Sequence, residues 1–175
     1  MEPQTVTKAT GWLGETWGFW FQTGALFLSA IGALWIVFSR SRTEKKRATV
    51  DLMLHQTKDK TLMDAKKKIL ELHESGQENF ACFLQEKDSG QKNSDEYDTI
   101  IKILNNHEFV AAGIREGAYA ESLYKRMRFS AIIRDWEALA GFIAEFRRQH
   151  NTYTTWQEFE WLAKKWKKIP LKLSK

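Results

Sequence analysis

The sequence predicts an all-α protein: a single N-terminal transmembrane helix followed by a cytoplasmic bundle of about four helices. Three observations predict it. Residues 16–39 carry no charged side chain. Downstream, apolar residues recur at three- and four-residue steps, the period of one helix face. The 175-residue chain has only two prolines, Pro3 and Pro170, both outside the patterned region, and alternating β-branched runs are absent.

The first element follows a short tail, residues 1–16. Residues 17–38 read WGFWFQTGALFLSAIGALWIVF. As a helix this run spans roughly 33 Å, enough for a hydrocarbon core of about 30 Å. Trp12, Trp17, Phe19, Trp20 and Phe21 crowd one end, and Trp35 and Phe38 lie near the other. Such rings favour the two water–lipid interfaces. The competing readings are a soluble core helix, which is usually shorter, and a cleaved signal peptide, which needs a basic front. Basic residues come afterwards instead: Arg40, Arg42, Lys45, Lys46 and Arg47, opposed only by Glu44. Positive flanks stay in the cytoplasm, so the N-terminus is expected outside and the C-terminal body inside the cytoplasmic membrane. Ala25, Ser29 and Ala33 repeat every four residues, a spacing that lets two membrane helices approach closely and self-associate.

Residues 39–60 are expected to form a basic juxtamembrane helix, and residues 61–169 a helical domain. Thr61 and Asp64 have capping-box spacing, with Asp in the Glu position. Leu62, Ala65, Ile69 and Leu72 then share a face, and Gly76 can end the helix. Residues 86–93 read as a loop. Ser94 or Asp95 caps a helix whose buried face is Tyr97, Ile100, Ile101 and Leu104. A turn is expected where Gly113 and Gly117 bracket Ile114, Arg115 and Glu116. The longest helix runs from about Ala120 to Gln149, burying Leu123, Met127, Ile132, Trp136, Leu139, Ile143 and Phe146. Thr155 and Glu158 form a capping box for a last helix through Lys168, with Trp156, Phe159 and Leu162 inward and Trp166 open to either that face or the lipid side. Residues 170–175 are a basic tail.

Charge is unevenly spread. Residues 40–68 hold ten bases and four acids, residues 69–163 ten bases and sixteen acids, and residues 164–175 six lysines and no acid. The acidic middle and the lack of a known module argue against nucleic-acid binding. The basic ends suit anionic headgroups, with Arg40, Arg42, Lys45, Lys46, Arg47, Trp166, Lys167 and Lys168 as the candidate contacts. The alternative for the C-terminal lysines is a helix end whose dipole they complement. The single Cys82 cannot form an internal disulfide and fits a reducing compartment.

Two stretches together carry a resemblance. One is the apolar run followed by Arg47-Ala48-Thr49-Val50-Asp51. The other is Asn106-His107-Glu108-Phe109-Val110-Ala111-Ala112-Gly113-Ile114-Arg115-Glu116-Gly117, followed by a long helix with Arg134 and Trp136. Over roughly residues 17–150 the chain resembles an uncharacterised family of small bacterial and phage membrane-anchored proteins catalogued as a domain of unknown function. The resemblance implies one membrane helix and a cytoplasmic α-helical domain, and carries no activity and no catalytic residue.

Tests for chemistry give little. His73-Glu74 and His107-Glu108 open like a zinc-protease signature, but Gln77 and Ala111 stand where the second histidine belongs. No histidine has a Glu three residues before it, as di-iron bundles require. No cofactor or metal is expected. Glu108, Arg115, Glu116, Arg134, Asp135 and Glu137 are candidates for one polar cluster between the second and third cytoplasmic helices. Such a cluster is either a partner or ligand pocket or a set of surface ion pairs. His107, Glu108, Arg115, Glu116 and Arg134 are the site residues it singles out.

The expected function is a membrane-tethered, non-enzymatic interaction or regulatory module at the inner face of the membrane. Its partners are then the bilayer and a membrane or membrane-associated protein. By analogy, a phage or bacterial setting suits exclusion or host defence. The alternatives are a membrane-anchored enzyme with a site near His107-Glu108, and a self-assembling membrane effector that forms homo-oligomers.

Overall fold

A computed structural model describes residues 17–76, 80–84 and 94–171. The expected N-terminal tail, the loop at 86–93 and residues 172–175 lie outside the described residues. Among the described residues there are five helices of eight residues or more and no strand. They are α1 (Trp17–Lys58), α2 (Lys60–Glu74), α3 (Ser94–Arg115), α4 (Glu121–His150) and α5 (Gln157–Lys168). The chain divides into two compact units, Met1–Glu44 and Lys45–Lys175.

In the first unit, the described residues are helical and solvent-facing nearly throughout. Trp17, Phe21, Leu28 and Trp35 are each more than 60% exposed. No acid or base interrupts the helix before Arg40. This is the one helix, among the described residues, long and apolar enough to cross a membrane. The Ser29 hydroxyl donates to the Ala25 carbonyl at 2.8 Å, so it satisfies itself within its own helix.

The second unit has its own core, with α3 packed against α2, α4 and α5, and α4 against α5. The C-terminal part of α1 joins through polar contacts. Buried Thr49 donates its hydroxyl to Lys45 O (2.7 Å) and accepts from the Ala120 amide (2.8 Å), so one oxygen serves both α1 and the start of α4. Gln56 Nε2 donates to Asn106 Oδ1 at 3.0 Å.

Capping differs from the sequence reading at α2. Asp59 is the N-cap and accepts from the Leu62 amide and the Thr61 hydroxyl, so Thr61 supports the cap instead of being it. The predicted face holds: Leu62, Ala65 and Ile69 are buried and Leu72 is partly buried. Gly76, at φ +86°, stops the helix in a conformation that favours glycine. Phe80, Phe83 and Leu84 then plug the core.

Helix α3 runs two residues past Gly113 before turning. Gly113 is needed for space, since a Cβ there would lie 2.3 Å from the Tyr119 ring. Gly117, at φ +70°, makes the turn, and the Ala118 and Tyr119 amides return to the Gly113 carbonyl. Ile100, Ile103, Leu104, Val110 and Ala111 are wholly buried. On α4 the inward face is rotated slightly from the expected one. Met127 is 62% exposed, while Tyr124 and Asp135 are buried beside Ile132, Leu139, Phe142 and Ile143.

Asn151 and Trp156 both take left-handed backbone at the connection to α5. Trp156 is the N-cap residue and gives no side-chain cap, and Thr155 bonds to Thr152, so the expected Thr155–Glu158 box does not form. Phe159, Leu162, Ala163 and Trp166 are fully buried at the four- and three-residue steps of one helix face.

Candidate functional site

His107 and Asp135 form the most deeply buried polar pair, each about 3% exposed. His107 Nε2 lies 2.9 Å from Asp135 Oδ2. An ionised carboxylate only accepts, which assigns the proton to Nε2 and leaves Nδ1 as the other ring nitrogen. That Nδ1 is buried without a hydrogen-bond partner. The imidazole stacks on Phe159, with centroids 4.6 Å apart. Arg134 clamps the second carboxylate oxygen through Nε (3.1 Å) and Nη2 (2.9 Å). Burial alone pushes the Asp135 carboxyl up, but the His107 hydrogen bond and the charges of His107 and Arg134 outweigh it, and the net displacement is below the usual carboxylate range.

The predicted polar cluster separates into three arrangements. His107, Arg134 and Asp135 form the buried group. Glu108, one residue along α3, points to a different helix: its carboxylate accepts from the Phe159 amide (2.8 Å) and the Glu158 amide (3.3 Å). It is the missing cap of α5, placed where the helix dipole favours an anion. Arg115 makes a two-pronged contact with Glu158 at 2.8 and 2.9 Å. Glu116 is exposed, and Glu137 pairs with Lys167 at 2.8 Å. A single site containing His107 and Glu108 together is therefore not what the fold builds. The helix places consecutive side chains about 100° apart, and the two acts of recognition use different faces.

The expected headgroup contacts also divide. Arg40, Arg42, Lys45, Lys46, Arg47, Lys167 and Lys168 are exposed. Trp166 is not available to lipid: it is 0% exposed, its indole N–H donates to Glu121 at 3.0 Å, and it packs on Phe129 and Tyr124. Its lysine neighbours suggested a surface, but the i, i+3, i+4 pattern from Phe159 puts it in the core.

One feature was not legible in the sequence. Beside the His107–Asp135 pair, α2 and α4 enclose a recess of about 340 Å³. Lys66, Lys67, Arg128 and Arg134 line it, with Asp135 its one acid. Leu70, Tyr124 and Ile132 give it an apolar wall. Lys67 reaches Glu71 at 3.4 Å, on the exposed side. Arg128 Nε is buried without a hydrogen-bond partner. Burial first, then repulsion from Arg128, pushes the Lys66 amine down to about 8, against the weaker pull of Asp135 and Asp59. Four cations converge from two distant helices, Lys66 and Lys67 on α2 and Arg128 and Arg134 on α4, and no local motif announces them. No group of three or more His, Cys, Asp or Glu able to hold a metal ion occurs among the described residues.

These elements define a helical domain that carries one candidate membrane helix and a polar recess. The chain belongs to a family described as a domain of unknown function, DUF4760, whose model matches residues 23–166. That match runs from within the apolar part of α1 to Trp166 in α5. No curated protein and no solved structure matches the chain.

Proposed function

We propose that this protein is a membrane-tethered, non-enzymatic helical binding module at the inner face of the cytoplasmic membrane. The observation that carries it is the uncharged first half of α1. Twelve large apolar side chains between Trp17 and Phe38 stand exposed. At about 1.5–3 kcal/mol each, leaving them in water costs roughly 20–35 kcal/mol. Lipid removes that cost. The basic run from Arg40 to Arg47 supports retention of the following domain on the cytoplasmic side. Tethering confines the domain to two dimensions and raises its effective concentration toward other membrane-bound partners.

The binding reading is favoured over the enzyme reading because Glu108, the expected catalytic neighbour of His107, is committed to capping α5. The test is biochemical fractionation of the full chain. The protein should stay with membranes through high-salt and alkaline washing, and intact cells should protect its C-terminal body from added protease. Replacing Leu28 and Ile31 by arginine should weaken retention, since each charge at a helix centre costs about 2.5–3.5 kcal/mol on insertion. Recovery of the unaltered chain in the aqueous fraction refutes the anchor. Digestion of the body from outside refutes the orientation.

A further inference from the structure

We propose that the recess bounded by α2 and α4 beside His107 binds a phosphate monoester dianion, with Lys66 and Arg128 as its principal ligands and Arg134 and Lys67 adding positive charge. This goes beyond the membrane reading and stands whether or not α1 crosses a bilayer.

Charge and desolvation both point to an anion. Asp135, the one acid lining the recess, is already engaged by Arg134 and His107. Lys67 has Glu71. What remains is two cations, Lys66 and Arg128, facing the same cavity without an acid between them. They are close enough for Arg128 to destabilise the charged form of Lys66. Burying like charges together is unfavourable for folding alone, and polar groups held unpaired in a cavity are a recurrent mark of a functional site.

A guanidinium presents a planar fork suited to two phosphate oxygens, and an ammonium supplies a compact point charge. The buried Arg128 Nε–H is a donor without an acceptor in the protein. An excess of two positive charges matches the dianion of a monoester better than a carboxylate or a diester. The volume is at the lower end of small-molecule sites, and the wall of Leu70, Tyr124 and Ile132 can cover a short organic group. The phosphate can come from a soluble metabolite or from the exposed monoester of a lipid headgroup, since both present the same three oxygens.

The experiment uses the full-length chain in a maltoside detergent, which has no phosphate. Its readout is acylation of Lys66 by an amine-reactive reagent near pH 7.5, followed by peptide mass spectrometry and normalised to exposed Lys168. A lysine with a depressed pKa reacts fast, and a bound dianion restores its proton and slows it. Inorganic phosphate and glycerol 3-phosphate form the soluble arm, phosphatidic acid in mixed micelles the lipid arm, and sodium chloride at matched ionic strength the control. Slowing by at least about fivefold over the chloride control supports the site. If only the soluble arm slows the reaction, the ligand is a metabolite. If only phosphatidic acid does, it is a headgroup. If both do, the phosphate alone is recognised.

Arg128→Gln should abolish the slowing while circular dichroism keeps its helical signal, and Arg126→Gln, exposed on the same helix outside the recess, should leave it intact. No slowing in either arm beyond chloride overturns the proposal. So does full slowing in a folded Arg128→Gln protein. The wild-type measurement decides the matter even where the variant does not fold.

Discussion

Removing the carboxylate of Glu108 should unseat α5. Glu108 sits on α3, yet it supplies the acceptors for the first free amides of α5, Glu158 and Phe159, at 3.3 and 2.8 Å. The helix has no cap of its own, because Trp156 stands at the N-cap in left-handed backbone. Glu108→Ala therefore loses a cap, worth about 0.5–2 kcal/mol, together with a favourable charge–dipole interaction of about 0.3–1 kcal/mol. The expected cost is about 1–3 kcal/mol. Glu108→Gln keeps an acceptor and loses the charge, so it should fall near the lower end. Amide hydrogen exchange read residue by residue is the direct assay. At 1.4 kcal/mol per factor of ten, exchange at Phe159 should accelerate roughly 5- to 150-fold in the alanine variant. Amides in the first half of α2 should change little by comparison. Unchanged exchange at Phe159, with overall stability within about 0.3 kcal/mol of the parent, would refute the reasoning.

Four further outcomes are expected. His107→Leu leaves the buried Asp135 carboxylate with Arg134 alone and should destabilise by about 1–3 kcal/mol in denaturant unfolding, whereas His107→Leu with Asp135→Leu should cost much less than twice that. Because the Asp135 carboxyl titrates below its unfolded value, its contribution is present above about pH 4 and is lost as pH falls through its folded pKa; unfolding curves between pH 7 and pH 2 should show a shallower acid loss for Asp135→Asn. Lys66→Met should stabilise the fold at pH 7, by on the order of 1 kcal/mol given that solvent still reaches part of the side chain. That advantage should fade from about pH 8 toward pH 10.5, where the parent lysine gives up its proton on folding, and thermal melts across this range check it. Gly113→Ala drives a methyl into the Tyr119 ring and should cost about 1–3 kcal/mol by the same melts.

What was legible in the sequence is what repeats locally. The apolar run, the faces of α2 and α3 and the extents of α4 and α5 all follow from three- and four-residue steps, and Gly76 and Gly117 stop their helices as glycine does. What was misread depends on distance. Thr61 and Asp59 both offer an oxygen at the start of α2, and only the backbone geometry chooses Asp59. The Thr155–Glu158 box looks complete on paper but loses to a carboxylate about fifty residues upstream. His107 was read beside Glu108, its neighbour in sequence, whereas its side chain meets Asp135, 28 residues on. Lys66 and Arg128 drew no notice at all, because each reads alone as a surface cation on its helix. Only the packing of both α2 and α4 on α3 brings them to one recess.

The polar contacts that seat α5 on the domain come from elsewhere in the chain. Glu108 meets its first amides, Arg115 its Glu158, Arg147 its Glu160, and Glu121 both Lys165 and Trp166. A ribosome making this protein thus produces α3 and α4 first, with the cleft that Phe159, Leu162 and Trp166 must occupy still uncovered. Completion of the domain waits on a segment synthesised after His150. Any product interrupted before that point presents an open apolar seam to chaperones and proteases, so the order of synthesis acts as a test of length.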